Sequence, residues 1–188
     1  LVNGPNVDLI LKGEELETLN KKFNIAISCE VFEHAKNWDK IFQSMFNVLK
    51  DEGVLIFTCA SQGRLEHGTL RTNPGESPGT MSDYYRNLNK KDFTIRFDLK
   101  TMFDQHYFYY NYYSLDLCFI GIKSKKLIKL DLDKVNFEVK KIKSETKTIF
   151  LKRLFYSSIL SDKSYQNFRF FRRKIVNSFL KIFKKNNV

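Results

Sequence analysis

The chain has 188 residues, 43% of them hydrophobic, enough to bury one sizeable core but not two. No apolar run approaches the roughly 20 residues that a membrane-spanning helix needs, and Leu1 opens no signal-peptide pattern, which excludes an integral membrane protein and points to the cytoplasm. The formal charge of +11 is lopsided: residues 141–188 hold 13 Lys/Arg against Glu145 and Asp162, whereas residues 1–140 hold 19 basic and 19 acidic residues.

In chain order, Gly4–Pro5–Asn6 reads as a turn and Val7–Leu11 as a short strand. Glu14–Asn20 has room only for a short helix, and Asn24–Cys29 reads as a short buried strand ending in an acidic corner, Glu30 and Glu33. Trp38, Ile41, Phe42, Met45, Phe46 and Leu49 keep the i, i+3, i+4, i+7 rhythm of a helix from Asn37 to Leu49, and Gly53 turns the chain into a second buried strand, Val54–Cys59. Strand, helix and strand make one βαβ unit, which belongs to a parallel sheet covered by helices. Residues 60–80 lose all periodicity and read as a long loop of the kind that is functional or disordered, a merely solvated loop being the plain alternative. A helix-compatible stretch, Ser82–Leu88, follows it. Phe103–Tyr113 and Ser114–Ile122 are expected to form an antiparallel pair at one sheet edge, and helical segments run over 146–160 and 164–185. The domain reading is an α/β unit over residues 1–125 and a basic, mainly helical extension over 126–188.

Cys29, Cys59 and Cys118 each lie in or beside an apolar strand and share no ligand spacing, so they read as reduced core residues, and no residues are assigned to a metal. A carboxylate at the tip of a parallel strand, here Glu30, stands where open α/β sheets bind ligands, although Glu30 and Glu33 would serve equally as acidic residues opening the next helix. The richest polar constellation is Gly63–Arg64–Leu65–Glu66–His67–Gly68–Thr69. There Arg64 suits a carboxylate or phosphate and His67, like His34, suits proton exchange near neutrality, while Tyr84, Tyr85 and Arg86 are candidates to line the same crevice.

The segments "FNIAISCEVFEH", "LKDEGVLIFT", "GRLEHGT" and "YYRNL" together resemble class I S-adenosylmethionine-dependent methyltransferases of a bacterial type-11-like subfamily, over Gly4 to about Lys123. The resemblance implies a Rossmann-like sheet of strand order 3-2-1-4-5-7-6, S-adenosylmethionine as cofactor, and a small-molecule or glycan-related acceptor. It also implies cofactor contacts from Gly13, Glu14, Cys29, Glu30 and Val31, catalytic roles for His67, His34 and Arg64, and acceptor contacts from Thr69, Tyr84, Tyr85 and Arg86. The family's G-x-G-x-G loop and its ribose-binding acid are missing from the sequence, so the expectation is an N-terminally truncated sheet that begins just past them.

The competing expectation is a non-catalytic Rossmann-like module presenting its basic tail to a membrane surface or nucleic acid. Phe168, Phe171, Ile175, Phe179, Ile182 and Phe183 would form the apolar stripe of an amphipathic tail helix flanked by Arg169, Arg172, Arg173, Lys181, Lys184 and Lys185. Such a helix suits peripheral attachment to an anionic inner membrane better than nucleic acid, because its aromatics are not interleaved with its charges; an apolar stripe packed on the domain is the plainer outcome.

Overall fold

The computed structural model describes residues 3–77, 83–124, 126 and 130–185. Two strands, β1 (Phe23–Cys29) and β2 (Leu49–Ala60), pair in parallel from Ile25↔Val54 to Cys29↔Thr58, joined by helix α1 (Trp38–Asn47). The apolar rhythm of α1 buries Trp38, Ile41, Phe42 and Met45 along one stripe against the sheet. Strands β3 (Gln105–Asn111) and β4 (Asp116–Ile122) form the expected antiparallel pair, but β4 lies beside β2 and β3 takes the outer edge. The order β1-β2-β4-β3 is the 4-5-7-6 half of the sheet that the resemblance implies.

The core is aromatic. Phe57 on β2 stacks on Phe93 (4.6 Å between centroids) and Phe119 (5.0 Å), with Phe32 5.0 Å away. Phe93 comes from α2 (Lys90–Arg96), which opens on a capping box between Asn89 and Asp92; a short helix, α3 (Leu99–Met102), follows. Each such ring, fully buried, contributes about 1.5–3 kcal/mol through the water it sheds.

Several expectations fail for identifiable reasons. Val7–Leu11 forms no strand: the segment has no ladder partner among the described residues, and Val7, Leu9 and Ile10 stay exposed. In Ser82–Leu88, Ser82 lies outside the described residues and the remainder forms no helix, because the Arg86 N–H donates to Glu33 O (2.9 Å) and the Leu88 N–H to Ala60 O (2.9 Å). Long-range backbone bonds thus displace the local helix, which forms at Lys90. The strand at 24–29 is not buried: β1 is an edge strand whose Ala26 and Ser28 face inward, while Ile25 (54% exposed) and Ile27 (61%) look outward. Cys29 shares that outer face and is exposed, unlike the buried Cys59 and Cys118; all three are free thiols.

Three helices complete the chain: α4 (Leu132–Glu145), which the sequence pattern did not predict, α5 (Lys147–Ile159) and α6 (Asp162–Lys185). Asp131 caps α4 by accepting from the Lys134 N–H at 2.9 Å. No helix among the described residues is long and apolar enough to cross a membrane.

Candidate active site at the tip of the first strand

The ladder of β1 ends with the Glu30 N–H donating to Thr58 O (2.9 Å), and Glu30 then turns the chain at φ 53°. Left-handed backbone costs a non-glycine residue about 1–2 kcal/mol, and such strain collects at functional sites. A single 3-10 turn, Phe32–His34, follows, with the Glu33 carbonyl held by Arg86. Neither glutamate caps α1, whose N-cap is Asn37. Glu33 instead points inward, 0% exposed, and among the described residues no hydrogen bond reaches either of its carboxylate oxygens, nor Glu30 Oε2 or His34 Nδ1, which are also buried.

The loop after β2 closes over this corner. Ser61 anchors it, its N–H (2.9 Å) and hydroxyl (2.8 Å) both donating to Leu115 O. Within the loop His67 lies against Leu65 O, 3.1 Å from Nδ1. A carbonyl can only accept, so Nδ1 carries the proton and Nε2 keeps its lone pair. Gly68 sits at φ 65°, and a Cβ there would meet Ser77 Cβ at 2.4 Å and His34 Cε1 at 3.0 Å. The rings of His34, His67 and Tyr85 meet edge-on as a triangle with centroid separations of 5.1, 5.4 and 5.2 Å.

Burial, and then the neighbouring Glu30 carboxylate, push the Glu33 carboxyl up to about 8; the backbone amides of Glu33 and Ala60 oppose this without reaching hydrogen-bond geometry. His34 is shifted down, first by burial and then by His67, with Glu30 pulling the other way. Asp116 is shifted up by burial, against the pull of the Ser114 hydroxyl and Arg64.

The sequence-predicted residues divide by what holds them. His34, His67 and Tyr85 converge, and Tyr85 is steadied by its hydroxyl donating to Asn87 Oδ1 (2.9 Å). Arg64 turns toward the start of β4, donating to Ser114 O and standing 3.3 Å from Asp116. Thr69 is buried in its own loop, its hydroxyl donating to Glu66 (2.7 Å), which also pairs with Arg71. The Arg86 side chain pairs with Asp92 on α2, and Tyr84 is half-buried. Gly13 and Glu14 open the 3-10 helix Gly13–Leu19 that packs on α1, where a Cβ on Gly13 would meet Ile41 Cγ2 at 2.7 Å. Cys29 and Val31 flank Glu30 with exposed side chains.

Two contributors were missed. In the sequence Glu33 reads only as an acid opening the next helix, yet it is the most enclosed carboxylate of the site; its signal is the E-x-x-E-H spacing of Glu30, Glu33 and His34. The other is α6. Gln166, 3% exposed, donates to Arg64 O (2.5 Å) and accepts from the Glu66 N–H (3.0 Å), while Arg71 donates to Asn167 (2.9 Å) and lies 4.5 Å over the Phe170 ring. Loop and helix enclose a groove of about 640 Å³ lined by His67, Arg64, Glu66, Arg71, Arg173 and Lys174, among others.

A parallel βαβ unit continued by an antiparallel pair, with its polar residues gathered beyond the tip of the first strand, defines a Rossmann-like α/β scaffold with a ligand crevice in the place such sheets put one. The sequence matches the family model described as a methyltransferase domain over residues 5–139, and the chain belongs to that family, within the class I S-adenosylmethionine-dependent methyltransferase fold. The search of curated proteins returned no match.

Proposed function

We propose that the chain transfers a methyl group from S-adenosylmethionine to an oxygen of a small-molecule or glycan-related acceptor. The observation that carries this reading is the polar cup beyond β1, where Glu33, His34 and His67 cluster and His67 also lines the groove under α6. Glu30 fits the cofactor in one respect: a carboxylate oxygen buried without a partner at a strand tip is an acceptor awaiting a donor, such as a ligand hydroxyl or ammonium. Cys29 and Val31 would line the same face, and Gly13 and Glu14 would stand on the adenine side. The 188 residues contain no G-x-G-x-G loop, so they supply the strand-tip part of a cofactor site.

When bound, the cofactor supplies an electrophilic methyl group for in-line displacement. What the chain then owes the reaction is alignment and a place for the acceptor's proton. In the metal-free protein, His67 Nε2 has the lone pair for that, and its loop holds it in the groove wall. His34, shifted down by burial, stays neutral beside it. Arg64, Thr69 and Arg86 support the reading at one remove, by holding the loop and the 83–89 segment that frame the histidines. Arg173 and Lys174 favour an acceptor bearing an anionic group. Titration with S-adenosylmethionine, followed by methyl transfer to hydroxyl acceptors, tests the proposal. His67→Ala should lower turnover about 10²–10⁴-fold with cofactor affinity unchanged; wild-type turnover in that variant would remove His67 from the chemistry.

The outer part of α6 supports a second role, peripheral attachment to an anionic membrane. Phe168, Phe171, Ile175 and Val176 are exposed beside Arg172, Arg173 and Lys174; the side chains of Phe179, Lys181, Ile182, Phe183, Lys184 and Lys185 lie outside those described. Each basic residue near such a surface contributes about 1 kcal/mol. Co-sedimentation with anionic vesicles should be salt-sensitive and vanish when residues 164–188 are removed; no binding at low salt would exclude attachment.

A further inference from the structure

We infer that Glu33, His34 and His67 form a binding site for one divalent first-row metal ion, bordered by Glu30 and open toward the groove. The inference deepens the methyltransferase reading, on which its catalytic meaning rests, but the site itself follows from geometry. One ligand atom from each of the three residues lies within 4.8 Å of the others. A tetrahedral ion with bonds of about 2.1 Å sets its donors about 3.4 Å apart, so closing the site takes about 1.4 Å of side-chain movement.

Three features favour an ion over a purely structural cluster. The first is a buried carboxyl group with no protein counter-ion. Glu33 is 0% exposed, neither oxygen has a hydrogen-bond partner, and no ion pair reaches it among the described residues. The arginines of the two framing segments are committed elsewhere, Arg64 to Asp116 and Arg86 to Asp92. A buried carboxylate in that condition is expensive unless it is neutralised or coordinates a cation.

The second feature is the second shell. Ligating histidines characteristically donate their other ring N–H to a carbonyl or carboxylate, which fixes the tautomer and aims the lone pair. His67 does this through Nδ1 and Leu65 O (3.1 Å). His34 belongs to the same cluster, and its Nδ1 is buried without a hydrogen-bond partner among the described residues. The third is the backbone at Gly68. Only a residue without a Cβ fits between His34 Cε1 and Ser77, so the loop that carries His67 can approach His34 closely.

The donor set selects the ion. Two imidazoles and one carboxylate, with a second carboxylate adjacent, suit Zn²⁺, Mn²⁺, Fe²⁺ or Co²⁺ over the oxygen-seeking Mg²⁺ and Ca²⁺. Three protein ligands leave a position open, the arrangement of catalytic sites rather than closed structural ones. That position would take an oxygen of the acceptor, so the acceptor class is a hydroxyl-bearing molecule. With the ion in place the imidazole lone pairs are engaged, and coordination takes over the activation that His67 Nε2 offers in the metal-free protein.

The test uses the whole chain, stripped with chelator and titrated with Mn²⁺ or Co²⁺ alone at neutral pH. Binding is followed by calorimetry, by the Mn²⁺ resonance signal and by the Co²⁺ visible spectrum. One ion per chain is expected, with nitrogen ligation visible in the Co²⁺ spectrum and Mg²⁺ unable to compete at equal concentration. Glu33→Gln and His67→Gln should each weaken binding about tenfold or more, while His106→Gln, on β3, leaves it unchanged. Circular dichroism identifies a variant that fails to fold; His67, on a loop, is the safer probe if Glu33→Gln does fail. No binding by the wild-type chain, or equal binding by His67→Gln, overturns the inference. Neither cofactor nor acceptor is present, so a negative result leaves the methyltransferase reading standing, and failure of methyl transfer leaves the ion site standing.

Discussion

Gln166→Leu should loosen the site without touching it. The side-chain amide spans two backbone groups of the loop, donating to Arg64 O and accepting from the Glu66 N–H. Arg64 O keeps a second donor, Asn87 Nδ2 at 3.0 Å, so losing Gln166 there costs only the net value of a hydrogen bond, about 0.5–1.5 kcal/mol. The Glu66 N–H loses the acceptor that Gln166 supplied in a part-buried setting, worth about 1–3 kcal/mol. Together the change should cost about 1.5–4.5 kcal/mol in the docking of α6. Tyr165 (7% exposed) and the Arg71–Asn167 and Arg71–Phe170 contacts remain to hold the helix loosely. Two measurements report it: trypsin cleavage at Arg169, Arg172 and Arg173, which should accelerate, and urea denaturation, which should acquire an early phase. Acceptor KM should rise while the core keeps its stability. Unchanged proteolysis and a loss below about 0.5 kcal/mol would show that the amide is not what fastens the helix.

Gly68→Ala should cost about 1–2 kcal/mol for the left-handed backbone, with more for the overlap with Ser77, and should part His34 from His67; denaturation together with ligand titration would reveal a harmless substitution. His106 on β3 is shifted below the ordinary histidine value of 6.5 by burial, then by Lys90 and Lys100. The folded chain therefore takes up that proton less readily than the unfolded chain, and the contribution is present above pH 6.5 and lost as pH falls through and below it. His106→Gln should flatten the wild-type decline in stability on the acid side, and parallel pH profiles for the two proteins would refute the assignment.

Much of the scaffold was legible because it is written in local periodicity. The apolar run before Cys29, the helical spacing from Trp38 and the apolar run at Val54 are properties of contiguous residues, and they returned the βαβ unit, although β2 already begins at Leu49 and runs through Gly53, which reads as a turn in the sequence. The polar loop stood out because Gly63–Thr69 breaks every period around it. What escaped depends on partners distant in the chain. Ser82–Leu88 looks helical until Glu33 and Ala60 claim the amides of Arg86 and Leu88, and Val7–Leu11 looks like a strand although a strand exists only against a neighbour. Glu33 looks like any acid ahead of a helix; its enclosure comes from the loop after β2 and the 83–89 segment. The grip of Gln166 on a loop about a hundred residues upstream leaves no trace in spacing at all.

The outward-facing isoleucines of β1 carry a consequence for how the chain behaves in a tube. Ile25 and Ile27 sit on the edge strand of the described sheet, whose outer backbone groups have no ladder partner there. An open, apolar edge is a template for another strand, and the usual protections are charge, proline or a kink. Here the guard is thin: Lys21 and Lys22 stand just before the strand, and the register slips once, between Phe23 and Ile25. Concentrated samples should therefore associate edge to edge, and a lysine in place of Ile27, pointing to solvent and away from the aromatic core, is the change that should keep them apart.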